Sequence, residues 1–338
     1  MRSLVWTAPS KMEIQEKPKP ELKSGWVLLE VAKSGICGSE ISAFLGHNEL
    51  RRPPLVMGHE FSGTVVDVGP DVESDWKGAL ATVNPLLSCN QCRQCRRGLR
   101  QLCASRKIVG VDFPGSYAQY VAVPASSLYR VKDNVAGSLI EPLACGVRAA
   151  ELAGVEVGDS AMVIGAGTIG LMVAKVLKSK GARQVVVSDT NPARLKWAHA
   201  WGASSVFNPR SADTGSMVRE NTSGEGFDSV VDAVGSVDTR TTAVASIRRG
   251  GRAVFIGLHE GGAAFPGNDL VRSEKQVIGS FCYSDDDFRR SVGLANGGFL
   301  ETTGGWIDVR PLASGEASFL EQTTPTAPFS KILLDSQA

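Results

Sequence analysis

The chain has 338 residues, 43% of them hydrophobic and 21% charged, with a formal net charge of +1. That length exceeds one small core and points to about two domains, and the composition supports a stable core without disulfides. A charge so near zero gives no electrostatic footprint for nucleic acid or an anionic membrane surface, so neither is an expected partner.

Met1-Arg2-Ser3-Leu4-Val5-Trp6 carries no apolar secretory core and no small-residue cleavage site, so the chain is expected in the cytoplasm. The first part of the chain reads as β-rich. Val27-Leu28-Leu29-Glu30-Val31, Phe61 to Val68 and Tyr117 to Val123 are β-branched or aromatic runs punctuated by Gly, Pro, Asn and Asp. From about residue 160 to residue 279 short apolar runs alternate with longer amphipathic segments. Strands are expected at 161–164, 184–188, 205–207, 229–232, 253–256 and 276–278. Ile169, Met172, Val173, Val176 and Leu177 mark one helix face between the first two. This alternation predicts an α/β doubly wound parallel sheet. The charge-free stretch 160–174 is broken by three glycines and is too short to span a bilayer. The residues after Phe281 are too few for a domain of their own and are expected to complete the first one.

Gly165-Ala166-Gly167-Thr168-Ile169-Gly170 directly follows the first of these strands and opens a helix. Such a loop supplies a tight turn at Gly165, close backbone approach to a pyrophosphate at Gly167, and helix–strand packing at Gly170. The helix N-terminus then offers N–H groups to phosphate. Asp189 stands nineteen residues beyond Gly170 at a strand end, where a carboxylate accepts from ribose hydroxyls and repels a 2′-phosphate, favouring NAD over NADP. Its alternative role is capping a helix before Asn191-Pro192. Arg194 reaches the same ribose or is a solvated helix charge.

Of the seven cysteines, Cys89, Cys92, Cys95 and Cys103 fall within fifteen residues. In a chain of this size such a cluster reads as a metal site rather than a disulfide framework. Four thiolates on a short loop suit a closed tetrahedral structural zinc, and Arg93, Arg96, Arg97 and Arg100 offset its negative charge. An iron–sulfur cluster is the other metal reading. A second, dispersed set consists of Cys37-Gly38-Ser39-Glu40, Gly58-His59-Glu60 and Glu141-Pro142. It offers a thiolate, an imidazole and carboxylates, the materials of an open catalytic zinc site. Only four histidines occur, and His59 is the one flanked by Gly and Glu. Cys145 and Cys282 have no metal role and read as buried hydrophobes.

Taken together, Cys37-Gly38-Ser39, Gly58-His59-Glu60, the Cys89/92/95/103 spacing, Glu141-Pro142, the Gly165–Gly170 loop and Asp189 resemble the zinc-containing medium-chain alcohol dehydrogenases. The likeness is strongest to the sorbitol (polyol) dehydrogenase group. It implies a GroES-like β-rich catalytic domain (residues 1–140 and 282–338) and an inserted Rossmann NAD-binding domain (residues 141–281). It further implies Cys37 and His59 as ligands of a catalytic zinc, with Glu60 and Glu141 both at that metal and neither fixed as the resting ligand. Two zincs per chain, NAD(H) and a homodimer or homotetramer follow from the same likeness. So does reversible oxidation of a secondary alcohol of a polyol or sugar-like substrate to a ketone, with Ser39 Oγ taking the hydroxyl proton. The alternative for Ser39 is a backbone-bonded loop serine. Ser42 stands where many relatives place a relay histidine; His47 is nearby or belongs to a surface turn. Substrate-pocket candidates are Phe44, His47, Phe113 and Phe281-Cys282-Tyr283. Arg51-Arg52 either holds a phosphorylated or acidic substrate or is solvated loop charge. An L-threonine 3-dehydrogenase-like enzyme, a simple alcohol dehydrogenase and a non-catalytic nucleotide-binding relative are the rival readings.

Overall fold

The computed structural model describes residues 1–48 and 50–338. The chain divides into two compact units, Met1–Glu141 with Ser284–Ala338, and Pro142–Tyr283.

The first unit is built on a seven-stranded sheet in the order Leu128–Arg130, Leu80–Val83, Glu60–Val68, Trp26–Gly35, Lys331–Asp335, Ile307–Pro311, with Tyr120–Pro124 also pairing with Trp26–Gly35. Alternating residues of the central strand, Val27, Leu29 and Val31, are fully buried against Phe61, Val65 and Val121. That is the period-two pattern expected of a half-buried strand. A smaller sheet joins Arg2–Ala8, Lys11–Glu16 and Leu55–Val56, and its side of the unit packs Trp6, Phe44, Tyr117 and Phe319 into one core.

Strand pairing in this unit joins distant segments. Gly35 lies opposite Glu60 on one side and opposite Leu333 on the other. Three segments, ending at residue 35, starting at residue 60 and passing through residue 333, therefore run side by side.

The second unit is a six-stranded, all-parallel sheet ordered Ser205–Phe207, Gln184–Ser188, Ser160–Ile164, Phe227–Asp232, Ile247–Phe255, Gln276–Gly279. Every residue of Ser160–Ile164 is buried, as a strand covered on both faces requires. Chain order reverses between Ser160–Ile164 and Phe227–Asp232, the place where open parallel sheets bind ligands at strand C-termini. No helix among the described residues is long and apolar enough to cross a membrane.

Candidate functional site

Cys37, His59 and Glu60 come together in the first unit, their ligand atoms all within 4.8 Å of one another. The sheet explains the meeting: Cys37 leaves Trp26–Gly35 as the N-cap of the helix Gly38–Phe44, and His59 precedes the paired strand Glu60–Val68. Gly58 delivers His59 from a backbone φ of +103°. A Cβ there would stand 2.5 Å from Ser116 Oγ and 2.8 Å from Tyr117 N, so only glycine serves.

Glu40 organises this cluster from beneath. Its fully buried carboxylate accepts from Gly58 N–H at 2.9 Å, from Cys37 N–H at 3.1 Å, from Tyr117 Oη, and bonds His59 Nδ1 at 2.7 Å. Committing Nδ1 to Glu40 leaves Nε2 as the nitrogen free for a metal, the arrangement that orients zinc-binding imidazoles. Burial alone would raise the Glu40 carboxyl; the His59 charge and hydrogen bond outweigh it and hold it at about 2. Burial likewise would lower His59, but the charges of Glu40 and Cys37 push it well above its ordinary value.

Glu60 pairs with Lys331 Nζ, which also donates to Ile36 O at 2.9 Å; both side chains are buried. Ser39, half-buried on the first turn of the 38–44 helix, donates to Cys37 Sγ at 3.4 Å. Glu141 is buried on the first turn of the helix Ile140–Ala153 and lies outside the 4.8 Å cluster. Sequence reasoning gave no role to Glu40, Tyr117 or Lys331. The three-residue step from Cys37 to Glu40, within one helical turn, was the one available signal. Nothing local marks Lys331.

Cys89, Cys92, Cys95 and Cys103 form the second cluster. Sulfur separations are 3.5 Å for Cys92–Cys95 and Cys89–Cys103 and 3.9 Å for Cys89–Cys95. A tetrahedron with Zn–S bonds of about 2.3 Å has edges of about 3.8 Å, and a disulfide would need about 2.05 Å. The cluster therefore fits a tetrahedral metal. Backbone N–H groups of Gln91 and Cys92 pull the Cys89 thiol down to about 6, while burial drives Cys95 up to about 11.

In the second unit Gly167 is the N-cap of the helix Thr168–Ser179, which places Ile169 on the first turn. A Cβ on Gly170 would collide with Gly165 O, whereas one on Gly167 would meet open space, leaving that backbone free to face a phosphate. Asp189 accepts from Ala166 N–H and Asn191 N–H, each at 2.7 Å. The cap of the following helix Pro192–Ala198 is Asn191, so Asp189 does not cap it; its carboxylate braces the glycine loop instead. The half-buried Arg194 has its Nε buried with no hydrogen-bond partner among the described residues. An open glycine, a carboxylate beside it and an orphaned guanidinium nitrogen fit a dinucleotide.

The pocket candidates separate. Phe44 is fully buried against Phe319, ring centroids 5.2 Å apart, and belongs to the core rather than to a pocket. Phe113 packs edge-on against Trp26 at 6.0 Å. His47 is exposed, its backbone N–H donating to Ser42 O at 2.9 Å. Phe281 lines a cavity of about 460 Å³ with Arg240, Phe255 and Leu258, at the C-terminal ends of the last two strands. Tyr283 is buried, while Cys145 and Cys282 are half-buried rather than wholly in the core. Arg52 is exposed, but Arg51 is 6% exposed, which overturns the solvated reading for that residue.

Residues 23–133 match the alcohol dehydrogenase GroES-like domain and residues 168–296 the zinc-binding dehydrogenase domain. The L-galactonate-5-dehydrogenase of Escherichia coli K12 is 30% identical over 292 residues, 86% of each chain. The chain belongs to the zinc-dependent medium-chain alcohol dehydrogenases, on their polyol-dehydrogenase branch. The D-xylulose reductase A of Aspergillus niger is 29% identical across 94% of this chain and 90% of its own. The crystal structure of a short chain alcohol dehydrogenase from E. coli CFT073 complexed with cofactor NADH superposes with a TM-score of 0.91, at 26% identity and 99% coverage of both chains. As a medium-chain alcohol dehydrogenase the protein is an oxidoreductase acting on CH–OH groups of a small molecule, with zinc and a nicotinamide dinucleotide.

Proposed function

We propose that Cys37, His59 and Glu60 hold a catalytic zinc at which a secondary alcohol of a polyol or sugar-like substrate is reversibly oxidised to a ketone. The observation that carries this reading is the 4.8 Å convergence of those three ligand atoms beside a serine hydroxyl 3.4 Å from the Cys37 sulfur. Glu141 supplies a second carboxylate to the same metal site, and one of the two glutamates exchanges with water. A zinc held by these residues would supply Lewis-acid polarisation of the substrate oxygen. Ser39 Oγ accepts the hydroxyl proton as its own passes to the cofactor ribose or solvent, Glu40 keeps His59 in the tautomer that presents Nε2, and Lys331 balances the Glu60 charge in a buried setting.

Gly165, Gly167, Thr168, Ile169 and Gly170 hold the pyrophosphate of the dinucleotide, which serves as hydride acceptor. Asp189 and Arg194 take the adenosine ribose. The Asp189 side chain beside the 2′-position favours NAD over NADP. Cys89, Cys92, Cys95 and Cys103 hold a second, structural zinc. Cys37, Cys89, Cys92, Cys95 and Cys103 are in no disulfide, which suits a reducing cytoplasm. The exposed edge strand Gln276–Gly279, near the exposed Val271, offers unpaired backbone groups for a homo-oligomer.

The test is turnover of a panel of polyols, sugar acids, L-threonine and short alcohols with NAD and with NADP, alongside zinc analysis. Two zincs per chain and NAD-linked oxidation of secondary polyol hydroxyls are expected, with His59→Ala folded but inactive. Turnover confined to simple primary alcohols, or an active His59→Ala variant, would overturn the reading.

A further inference from the structure

We propose that Arg51 makes this site selective for acidic substrates, polyols or sugars bearing a carboxylate or phosphate a few carbons from the reacting hydroxyl. The inference rests on Cys37, Ser39 and His59 being the alcohol-oxidation centre. Arg51 is nine-tenths buried, and a guanidinium is always charged. Its Nη2 donates to Ser39 Oγ at 3.3 Å, its Nη1 to Ser39 O at 3.3 Å, and its Nε to Gly110 O at 3.4 Å.

These acceptors are all neutral and all at the long end of hydrogen bonding, whose usual N–H···O distance is about 2.9–3.0 Å. Among the described residues no carboxylate forms an ion pair with Arg51. Glu40, whose carboxyl feels the Arg51 charge, has both oxygens engaged by Gly58, Cys37, His59 and Tyr117. A guanidinium carries five N–H donors, so two remain unused among the described residues. A buried cation in this condition is costly until an anion arrives, and two N–H groups on a planar fork suit a carboxylate or phosphate.

The placement also fits the chemistry. A substrate hydroxyl hydrogen-bonded to Ser39 Oγ lies about 2.7 Å from it. The Arg51 nitrogen, 3.3 Å from the same oxygen, is then within about 6 Å of the reacting oxygen. With carbon–carbon bonds of about 1.5 Å, that span reaches an anionic group about two to four carbons away.

The experiment compares a neutral polyol, its acid and its phosphate, in the carbon series found active in the panel above; galactitol, galactonate and galactitol 1-phosphate are one such set. Full-length zinc-loaded wild type, Arg51→Lys and Arg51→Met are assayed with NAD. The wild type is expected to prefer at least one anion over the neutral compound in kcat/KM. Arg51→Met should shrink that preference about 30-fold or more, through KM, and Arg51→Lys should keep part of it. The acid and phosphate arms identify which anion is read. Circular dichroism and zinc content establish folding, and Arg51→Lys carries the test if Arg51→Met does not fold. Equal use of neutral and acidic compounds by the wild type would overturn the inference. So would a uniform fall in kcat for every compound with KM unmoved, which would show that Arg51 merely holds Ser39. Failure of the wild type on every alcohol would instead sink the dehydrogenase reading itself.

Discussion

Replacing Glu40 with glutamine keeps the shape of the side chain and removes its charge, and the structure states what that must cost. One oxygen serves Gly58 N–H and His59 Nδ1, and the other Cys37 N–H and the Tyr117 hydroxyl. An amide oxygen kept on the His59 side turns its NH2 toward Cys37 N–H, donor against donor. Tyr117 escapes by donating to Gly35 O, already 3.0 Å away, and accepting from the amide. Cys37 N–H has no such exit. One buried unsatisfied donor costs about 1–3 kcal/mol, and two bonds lose their charge assistance, about 1 kcal/mol each. Glu40→Gln should therefore lose about 3–5 kcal/mol of unfolding free energy in urea. It should bind zinc at the Cys37/His59 site about 10–100-fold more weakly in chelator competition, as loosened imidazole orientation predicts. The sign of the pH dependence follows from the depressed Glu40 carboxyl. Its stabilisation in the metal-free protein is complete above the ordinary value of 4.5 and is lost as pH falls toward 2, so the gap between wild type and variant should narrow over that window. Unfolding within 0.5 kcal/mol of wild type (roughly the scatter of surface substitutions), together with unchanged zinc affinity, would refute the assignment of Glu40 as the group that positions His59.

Two further substitutions separate the clusters. Cys92→Ser breaks a closed tetrahedron and should leave one zinc per chain with a lowered Tm; full zinc content and an unshifted melt would contradict a structural site. Gly35→Ala places a Cβ 2.7 Å from Lys331 Cε and closer still to Glu60 Oε2. Overpacking of this kind costs about 1–3 kcal/mol, and here it displaces the buried Glu60–Lys331 pair. Zinc at the Cys37/His59 site and kcat should fall while the four-cysteine zinc remains. Unchanged kcat with an unchanged melt would show that Glu60 tolerates the shift.

What could be read without coordinates was whatever lies close together along the chain. Cys89, Cys92, Cys95 and Cys103 share one loop, and Gly165 to Gly170 share one turn after the first strand of the strand–helix alternation that predicted a parallel sheet. Short loops fix relative position through chain connectivity, so spacing stands in for geometry. Asp189 and Arg51 show where this stops. Asp189 has the right spacing for ribose, yet its brace on Ala166 N–H depends on how the glycine loop folds back. Arg51 looked like loop charge because polar loops are usually solvated, and its burial depends on the turn at Gly110, 59 residues away.

Only tertiary structure joined Glu60 to Lys331, 271 residues apart. That pair exists because the C-terminal strand Lys331–Asp335 adds to the Trp26–Gly35 strand at Gly35, directly opposite Glu60. Hydrogen-bonded register, which no local pattern encodes, sets that adjacency. The four-cysteine lobe was legible because its ligands are neighbours in sequence. The cluster of Cys37, His59 and Glu60, with Glu40, Arg51 and Lys331 around it, was assembled by strand pairing.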